Sequence, residues 1–430
     1  MPEPRIDACD VLVVGGGPAG LSAAVALRSA GVERVVVAER EVVAGGVPRH
    51  CAHPGFGLRD RRRAWSGPTY ARRLVEDALS AGVDLRTGTM VTDWAARDED
   101  AAGGAPGPAV PDAWVTSPLG RARVVPRAVV LATGARERPR AARMIAGDRP
   151  DGVYTTGQLQ AMVHLHGRAV GSRAVVVGSA PVAWSAVLTL REAGCRAVAM
   201  VTDGPAADIP APAAVAAQAA LGVPVVRRSH VVRIVGRQRV RAVEVRHLDT
   251  GAVATIDCDT VVLTADWTPE SELSARLGLE VADGFAGPRV DAALRTSRPG
   301  VFAAGNLLHP VDTADVAALD GRHVARAVAG WLSDERDRPV AARVRPGWPF
   351  AWVAPGLLAA GAGVSANERL LAWPTQRVRT PRVRVEQDGV VVAERTLRWP
   401  TAPGRAYRMP WTLLDACDPA GGDIVVGLRE

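Results

Sequence analysis

With 430 residues, 48% of them hydrophobic and 23% charged, the chain exceeds one ordinary domain and is too apolar to be disordered. Its formal charge of +7 comes from arginine alone, because the sequence contains no lysine, and this excludes lysine Schiff-base chemistry. The arginines are scattered apart from Arg61, Arg62 and Arg63 and have no aromatic–basic stripe beside them, so a solvated basic surface is expected and not a nucleic-acid interface.

The first strand begins by about Asp10, leaving no room for a secretory signal, and no apolar run reaches the roughly 18 residues of a membrane span. A cytoplasmic address is the expectation. Asp10–Arg40 reads as strand, small-residue turn, helix and second strand, with Gly31 suited to the helix C-terminus. Within it stands Gly15-x-Gly17-x-x-Gly20, and Glu39 follows 19 residues after Gly20 at the end of the second strand. Each part has a physical purpose. Gly15 permits the tight turn, Gly17 lets a pyrophosphate approach the backbone, and Gly20 lets helix and strand pack closely. Pro18 and Ala19 open the helix, whose N-terminus offers amide donors and partial positive charge to phosphates. Glu39 accepts the ribose hydroxyls of an adenosine and repels a 2′-phosphate. Arg40 beside it and Val91 on a later strand complete the expected cofactor-binding set.

A strand is expected at Asp84–Trp94 and another near Trp114–Ser117, separated by the segment DEDAAGGAPGPAVPD, a loop by composition. The strand Ala128–Ala132 runs into Thr133 and Gly134. Arg173–Asp203 then repeats the strand–turn–helix–strand pattern, with Gly194 in the place of Gly31. Its turn is altered: Gly178-Ser179-Ala180-Pro181-Val182-Ala183 retains the first glycine, Thr202 stands where Glu39 stood, and no arginine lies between Thr202 and Ala220. An NADP phosphate clamp is therefore absent. Whether the unit binds NAD is left open by these residues. Further strands are expected at Val231–Val235, Ala242–Arg246, Thr260–Thr264 and Val301–Ala303, then a helix from Thr313 to Trp331. Past Arg338 a Pro- and Trp-rich alternating texture with a Gln387-Asp388-Gly389 turn predicts a β-rich domain.

The expected fold class is α/β: two Rossmann-like dinucleotide-binding domains, one inserted in the other, plus a small β-rich C-terminal domain. Residues 1–165 and 290–335 would form one dinucleotide-binding domain, 166–289 the inserted NAD(P)-binding-like domain, and 340–430 the C-terminal domain. The cysteines Cys9, Cys51, Cys195, Cys258 and Cys417 contain no CxxC pair, which argues against a disulfide framework, a metal site or a cluster ligated by this chain.

The segments VVGGGPAG with Glu39, VVLATGARERPR, DTVVLTADWTPESEL and TSRPGVFAAGNLLHP resemble the pyridine-nucleotide-disulfide oxidoreductase superfamily of FAD enzymes. The resemblance implies that Thr133 and Gly134 pass beside FAD and that Asn306, standing where Asp is usual, touches the ribityl chain. The segments GGVPRHCAHPGFGLRD, SGPTYARRL, GVYTTGQLQ and GNLLHP are similar to FAD-linked oxidoreductases that accompany glycerol-3-phosphate dehydrogenase-like proteins. They are also similar to the FAD/NAD-type subunits of dye-linked dehydrogenases and cyanide synthase. That similarity implies a partner flavoprotein or small iron–sulfur protein, with a small molecule as substrate or acceptor.

The disulfide reductases carry a cysteine pair at the second and seventh positions beyond Gly46, and this chain has Pro48 and His53 there. Dithiol exchange at that place is excluded, and Cys51 is expected to be a packed residue. His53 is the candidate to hydrogen-bond the flavin or relay a proton, with a structural role as its counterpart. His50 and His309 are further catalytic candidates; His164 and His166 read as surface or packing residues. The leading function is an FAD-dependent oxidoreductase subunit passing hydride or electrons to a partner or small acceptor. A self-sufficient NADH:acceptor reductase and an FAD-holding assembly subunit without turnover are the alternatives.

Overall fold

A computed structural model describes residues 5–95, 110–208, 211–310, 312–333 and 339–429. Most of the loop predicted after Asp98 lies outside the described residues. Strand Arg5–Val14 is buried along its C-terminal half and sits in the middle of a seven-stranded sheet. It pairs in parallel with Val35–Ala38 on one side and with Gly120–Leu131 on the other. Val301–Ala303 joins Gly120–Leu131 in parallel, so residues 172 positions apart pair in one sheet. The buried stretches Val11–Val14, Val35–Ala38 and Ala128–Leu131 are runs of Val, Leu and Ala because helices cover the sheet. Helices Pro18–Ser29 and Ala314–Leu332 pack so tightly that a side chain at Gly321 would collide with the Ala19 carbonyl.

The predicted strand Asp84–Trp94 divides. Asp84–Arg86 pairs with Val35–Ala38, whereas Met90–Ala95 joins the antiparallel strand Asp112–Ser117 at the opposite edge. Thr87-Gly88-Thr89 makes the break, with Gly88 at φ +60°. An isolated glycine inside the expected strand was the available signal.

The chain leaves this domain along Ala135–Glu137 and returns along Trp267–Pro269, two strands paired antiparallel. Between them stands a five-stranded parallel sheet in the order Val153–Thr155, Thr260–Leu263, Arg173–Val177, Arg196–Val201, Val225–Val226. A smaller sheet of Ala146–Gly147, Ser229–Val235, Ala242–His247 and Val253–Asp257 packs against it. Ala146–Gly147 and Val153–Thr155, assigned from sequence to the first domain, thus belong to sheets of the inserted unit. Residues after Trp267, assigned from sequence to the insert, include Leu277 and Leu279, which pack in the first domain's core. The boundaries move because short strands carry too few residues for a periodic signal, and pairing alone assigns them.

The C-terminal residues form sheets of five and three strands around a core that includes Val383, Val385, Met409 and Trp411. The Asp388-Gly389 turn joins Arg382–Gln387 to Val390–Thr396, and both turn residues have positive φ, as a tight hairpin requires. Among the described residues no helix is long and apolar enough to cross a membrane.

Candidate cofactor site

The predicted glycine turn is the floor of a cleft of about 1340 Å³, above the usual ~300–1,000 Å³ of a small-molecule pocket. Gly15 has φ +108° and donates its N–H to Ala38 O at 2.9 Å, which closes the turn onto the second strand. Gly17 is the extended N-cap of helix Pro18–Ser29, and Pro18 starts that helix. A Cβ on Gly17 would meet nothing nearer than 3.8 Å, so what this glycine leaves room for lies in the cleft, not in the protein. Gly20 lies beneath the cleft and does not line it. A side chain there would strike the Gly15 carbonyl oxygen, and this close approach of helix to turn is the role predicted for it.

Glu39 is buried at the end of its strand and lines the cleft beside Arg40. Its Oε2 accepts the Gly16 N–H at 2.7 Å and its Oε1 the Glu41 N–H at 2.8 Å. Two bonds hold the carboxylate in place, and its remaining lone pairs are available to a ribose. Val91 forms part of the wall, as do Thr133 and Gly134. The Thr133 hydroxyl donates to Glu270 O at 2.7 Å, and Gly134 O accepts the Glu270 N–H at 2.9 Å.

At the other end stands Asn306. Its Nδ2 donates to Asp312 O at 3.0 Å, while its buried Oδ1 has no protein partner. A buried acceptor without a donor is costly unless a ligand supplies one. Helix Ala314–Leu332 begins beside it, with Thr313, Ala314 and Asp315 on the wall, so the positive end of a 19-residue helix faces the cleft. The glycine turn, the anchored acid and the orphaned amide oxygen therefore fit FAD.

The three candidate histidines separate. His53 lines the cleft, with Nδ1 3.0 Å from Pro54 O and its ring 5.2 Å from that of Phe56. A proton on Nδ1 that donates to this carbonyl leaves Nε2 as a free acceptor. His50 also lines the cleft; burial, then Arg49 and His164, push its pKa down to about 4, so it is neutral near pH 7. His309 is not on the cleft. It is buried and bonded to Asp320, whose Oδ2 also accepts the Gly305 N–H at 3.2 Å. Burial alone would lower its pKa, but the Asp320 carboxylate outweighs that and raises it. Its catalytic assignment is corrected to a positioning one: His309 braces the turn that carries Asn306.

Cys51 is buried and its thiol donates to Gln160 Oε1 at 3.2 Å. Burial, with Glu137 nearby, pushes its pKa up to about 12, so it stays a protonated thiol near neutral pH. His164 faces Thr189 Oγ1 at 3.3 Å and is a packing residue, whereas His166 reaches the cleft. Three participants were missed from sequence. Gln160 lines the cleft and donates through Nε2 to Ser185 Oγ at 2.8 Å. Asp312 is buried and ion-paired with Arg408, which comes from the C-terminal domain and lines the cleft as well. Asp312 was within reach as a polar residue in the loop after Asn306, but nothing in the sequence brings Arg408 to it.

A doubly wound sheet with this cradle defines an FAD-dependent oxidoreductase built on two dinucleotide-binding units. The chain belongs to the pyridine nucleotide-disulphide oxidoreductase family, whose model matches residues 9–321. It is 27% identical over 345 residues to an opine oxidase subunit from Agrobacterium tumefaciens (strain Ach5), covering 75% of this chain and 65% of that one. It is 28% identical over 277 residues to the alpha subunit of sarcosine oxidase from Rhizobium meliloti (strain 1021), covering 63% and 25% respectively. The chain thus spans about 65% of the length of that opine oxidase polypeptide. Its fold resembles the T. acidophilum thioredoxin reductase structure with a TM-score of 0.61 at 22% identity, over 77% of this chain and 99% of that one.

Proposed function

We propose that this chain is the FAD-holding electron-transfer subunit of a multicomponent oxidoreductase that acts on N-substituted amino acids. The observation that carries the reading is the contrast within one site. The flavin cradle is intact, yet Pro48 and His53 stand where a redox dithiol would be, and Cys51 is buried against Gln160. Disulfide reduction is thereby removed while flavin chemistry is kept. The substrate class comes from the relatives, an opine oxidase and a sarcosine oxidase. Opines and sarcosine are amino acids that carry a carbon substituent on nitrogen, and the matching chain of each oxidase is one of its subunits.

When bound, FAD supplies a two-electron acceptor that the protein itself lacks. The chain's own residues hold and bias it. Glu39 would orient the adenosine end, and the Asn306 oxygen would accept a hydroxyl of the ribityl chain. The positive end of helix Ala314–Leu332 faces the cleft and would favour negative charge on a bound flavin. His53 Nε2 is the group on this chain suited to accept a proton at the cleft.

The test is isolation of the native assembly. The chain is expected to carry flavin and to bring down a second flavoprotein or a small iron–sulfur protein. Sarcosine or an opine should bleach that assembly without oxygen, and should leave the chain alone oxidised. A chain that purifies by itself and is still bleached by these amino acids would overturn the subunit reading; a chain that holds no flavin would overturn the site.

A further inference from the structure

The inserted domain repeats the FAD cradle closely enough to compare the two residue by residue. Gly178 donates its N–H to Val201 O at 2.8 Å, as Gly15 does to Ala38 O, so Ser179 corresponds to Gly16 and Thr202 to Glu39. In the first unit the acid holds the Gly16 N–H and keeps oxygens free for a ribose. In the second the equivalent side chains close on one another. Ser179 is buried; its hydroxyl lies 3.1 Å from Thr202 Oγ1, donates to Asp208 Oδ2 at 2.8 Å, and accepts the Asp208 N–H at 3.2 Å. A threonine stands in the place of the acid, and Asp203, one position later, is exposed and faces His230 Nδ1 at 3.1 Å.

The turn itself has also changed. Ala180, the N-cap of helix Pro181–Glu192, puts a methyl group where Gly17 leaves open space. Ala183 replaces Gly20, the residue that permits the close approach of helix and strand in the first unit. A third element then covers the knot. Gly404 of the C-terminal domain approaches Asp208 so nearly that a Cβ on it would stand 2.9 Å from the Asp208 Cβ. Arg405 and Ala406 share the cleft wall with Ala180 and Pro181. The segment is tied at both ends. Thr401 Oγ1 accepts the Val378 N–H at 2.9 Å, and Arg408 is ion-paired with Asp312 of the FAD domain.

From these three independent features we infer that the second dinucleotide-binding unit is closed to nicotinamide nucleotides: the Ser179–Thr202–Asp208 knot replaces the ribose acceptor, and the Gly404 segment seats over it. NADH and NADPH are then not electron donors to this flavin, and reduction must come from an organic substrate or a partner protein. The inference concerns the chain's own residues and holds whichever substrate the assembly takes.

The test is titration of the FAD-loaded chain with NADH and with NADPH, without oxygen. It follows nicotinamide fluorescence for binding and flavin absorbance for reduction. The expected result is no saturable fluorescence change and no bleaching, with dithionite still reducing the flavin. Saturable binding of either nucleotide to the unaltered chain would overturn the inference and leave FAD binding untouched. A Thr202→Glu, Asp208→Ala double variant opens the knot and restores the acid. It should acquire a saturable NADH-dependent fluorescence change that the parent lacks, while keeping its flavin. A folded, flavin-loaded variant that gains nothing would overturn the assignment of closure to these residues.

Discussion

At Asn306 the side-chain amide is half committed, its Nδ2 bonded to Asp312 O at 3.0 Å and its Oδ1 buried without a partner. Removing one member of a buried hydrogen bond costs about 0.5–1.5 kcal/mol net, which corresponds to a few-fold up to roughly tenfold in an equilibrium constant. Asn306→Ala is therefore expected to weaken FAD binding by that factor in a titration of the apoprotein with FAD. Unchanged affinity would mean that Oδ1 meets something other than the cofactor. The site glycines and Glu39 were expected from sequence because each answers a local demand: a positive φ, an open approach or an acceptor at a strand end; Asn306 was expected through the family resemblance alone. The histidines were less legible, because a type of side chain does not tell which way it points. His309 stands three residues beyond Asn306, yet it turns inward to Asp320 and not to the cleft.

The element that joins the two nucleotide units is the short ribbon Ala135–Glu137 with Trp267–Pro269. Glu137 anchors it. Its buried carboxylate accepts the Gly157 N–H and the Ala265 N–H, both at 3.0 Å, and so ties one end of each domain crossing to helix Thr156–Gln160. Ala265 has φ +56°, a conformation that the bond to Glu137 helps to hold. Glu137→Gln would turn an amide NH2 toward one of these two donors and leave that half-buried N–H unpaired, at about 1 kcal/mol. The expected outcome is a lower midpoint of thermal unfolding, with the largest gain in hydrogen exchange at Gly157 and Ala265. Protection unchanged at both amides would show that the carboxylate does not brace the crossing. Sequence periodicity could not find this ribbon, because three-residue strands carry no period and are defined by their partners alone.

Across the whole molecule, the C-terminal domain is a clasp and not a separate module. Arg408 reaches Asp312 in the FAD domain, Gly404 meets Asp208 in the inserted domain, and Arg345 pairs with Asp283. Arg408→Met leaves the buried Asp312 carboxylate short of its cation, at a cost on the order of 1–3 kcal/mol given that the guanidinium is partly exposed. Thermal unfolding should shift downward. Limited proteolysis should cut sooner between residues 399 and 406. If both stay at the parental values, the ion pair does not hold the clasp.

The sequence by itself determined the double nucleotide-binding architecture, the FAD cradle and the absence of a redox dithiol. The two strand–turn–helix units and the glycine turn with Glu39 depend on residues close in sequence, where backbone geometry and spacing dictate residue type. The missing dithiol is read from Pro48 and His53. Only the tertiary structure decided what happens at the second unit. Ser179, Thr202 and Asp208 span thirty positions and Gly404 lies almost two hundred further on, so their meeting is a product of packing between domains. A glycine turn can be read from its own residues, but whether the space above it is open depends on which distant segment comes to lie there.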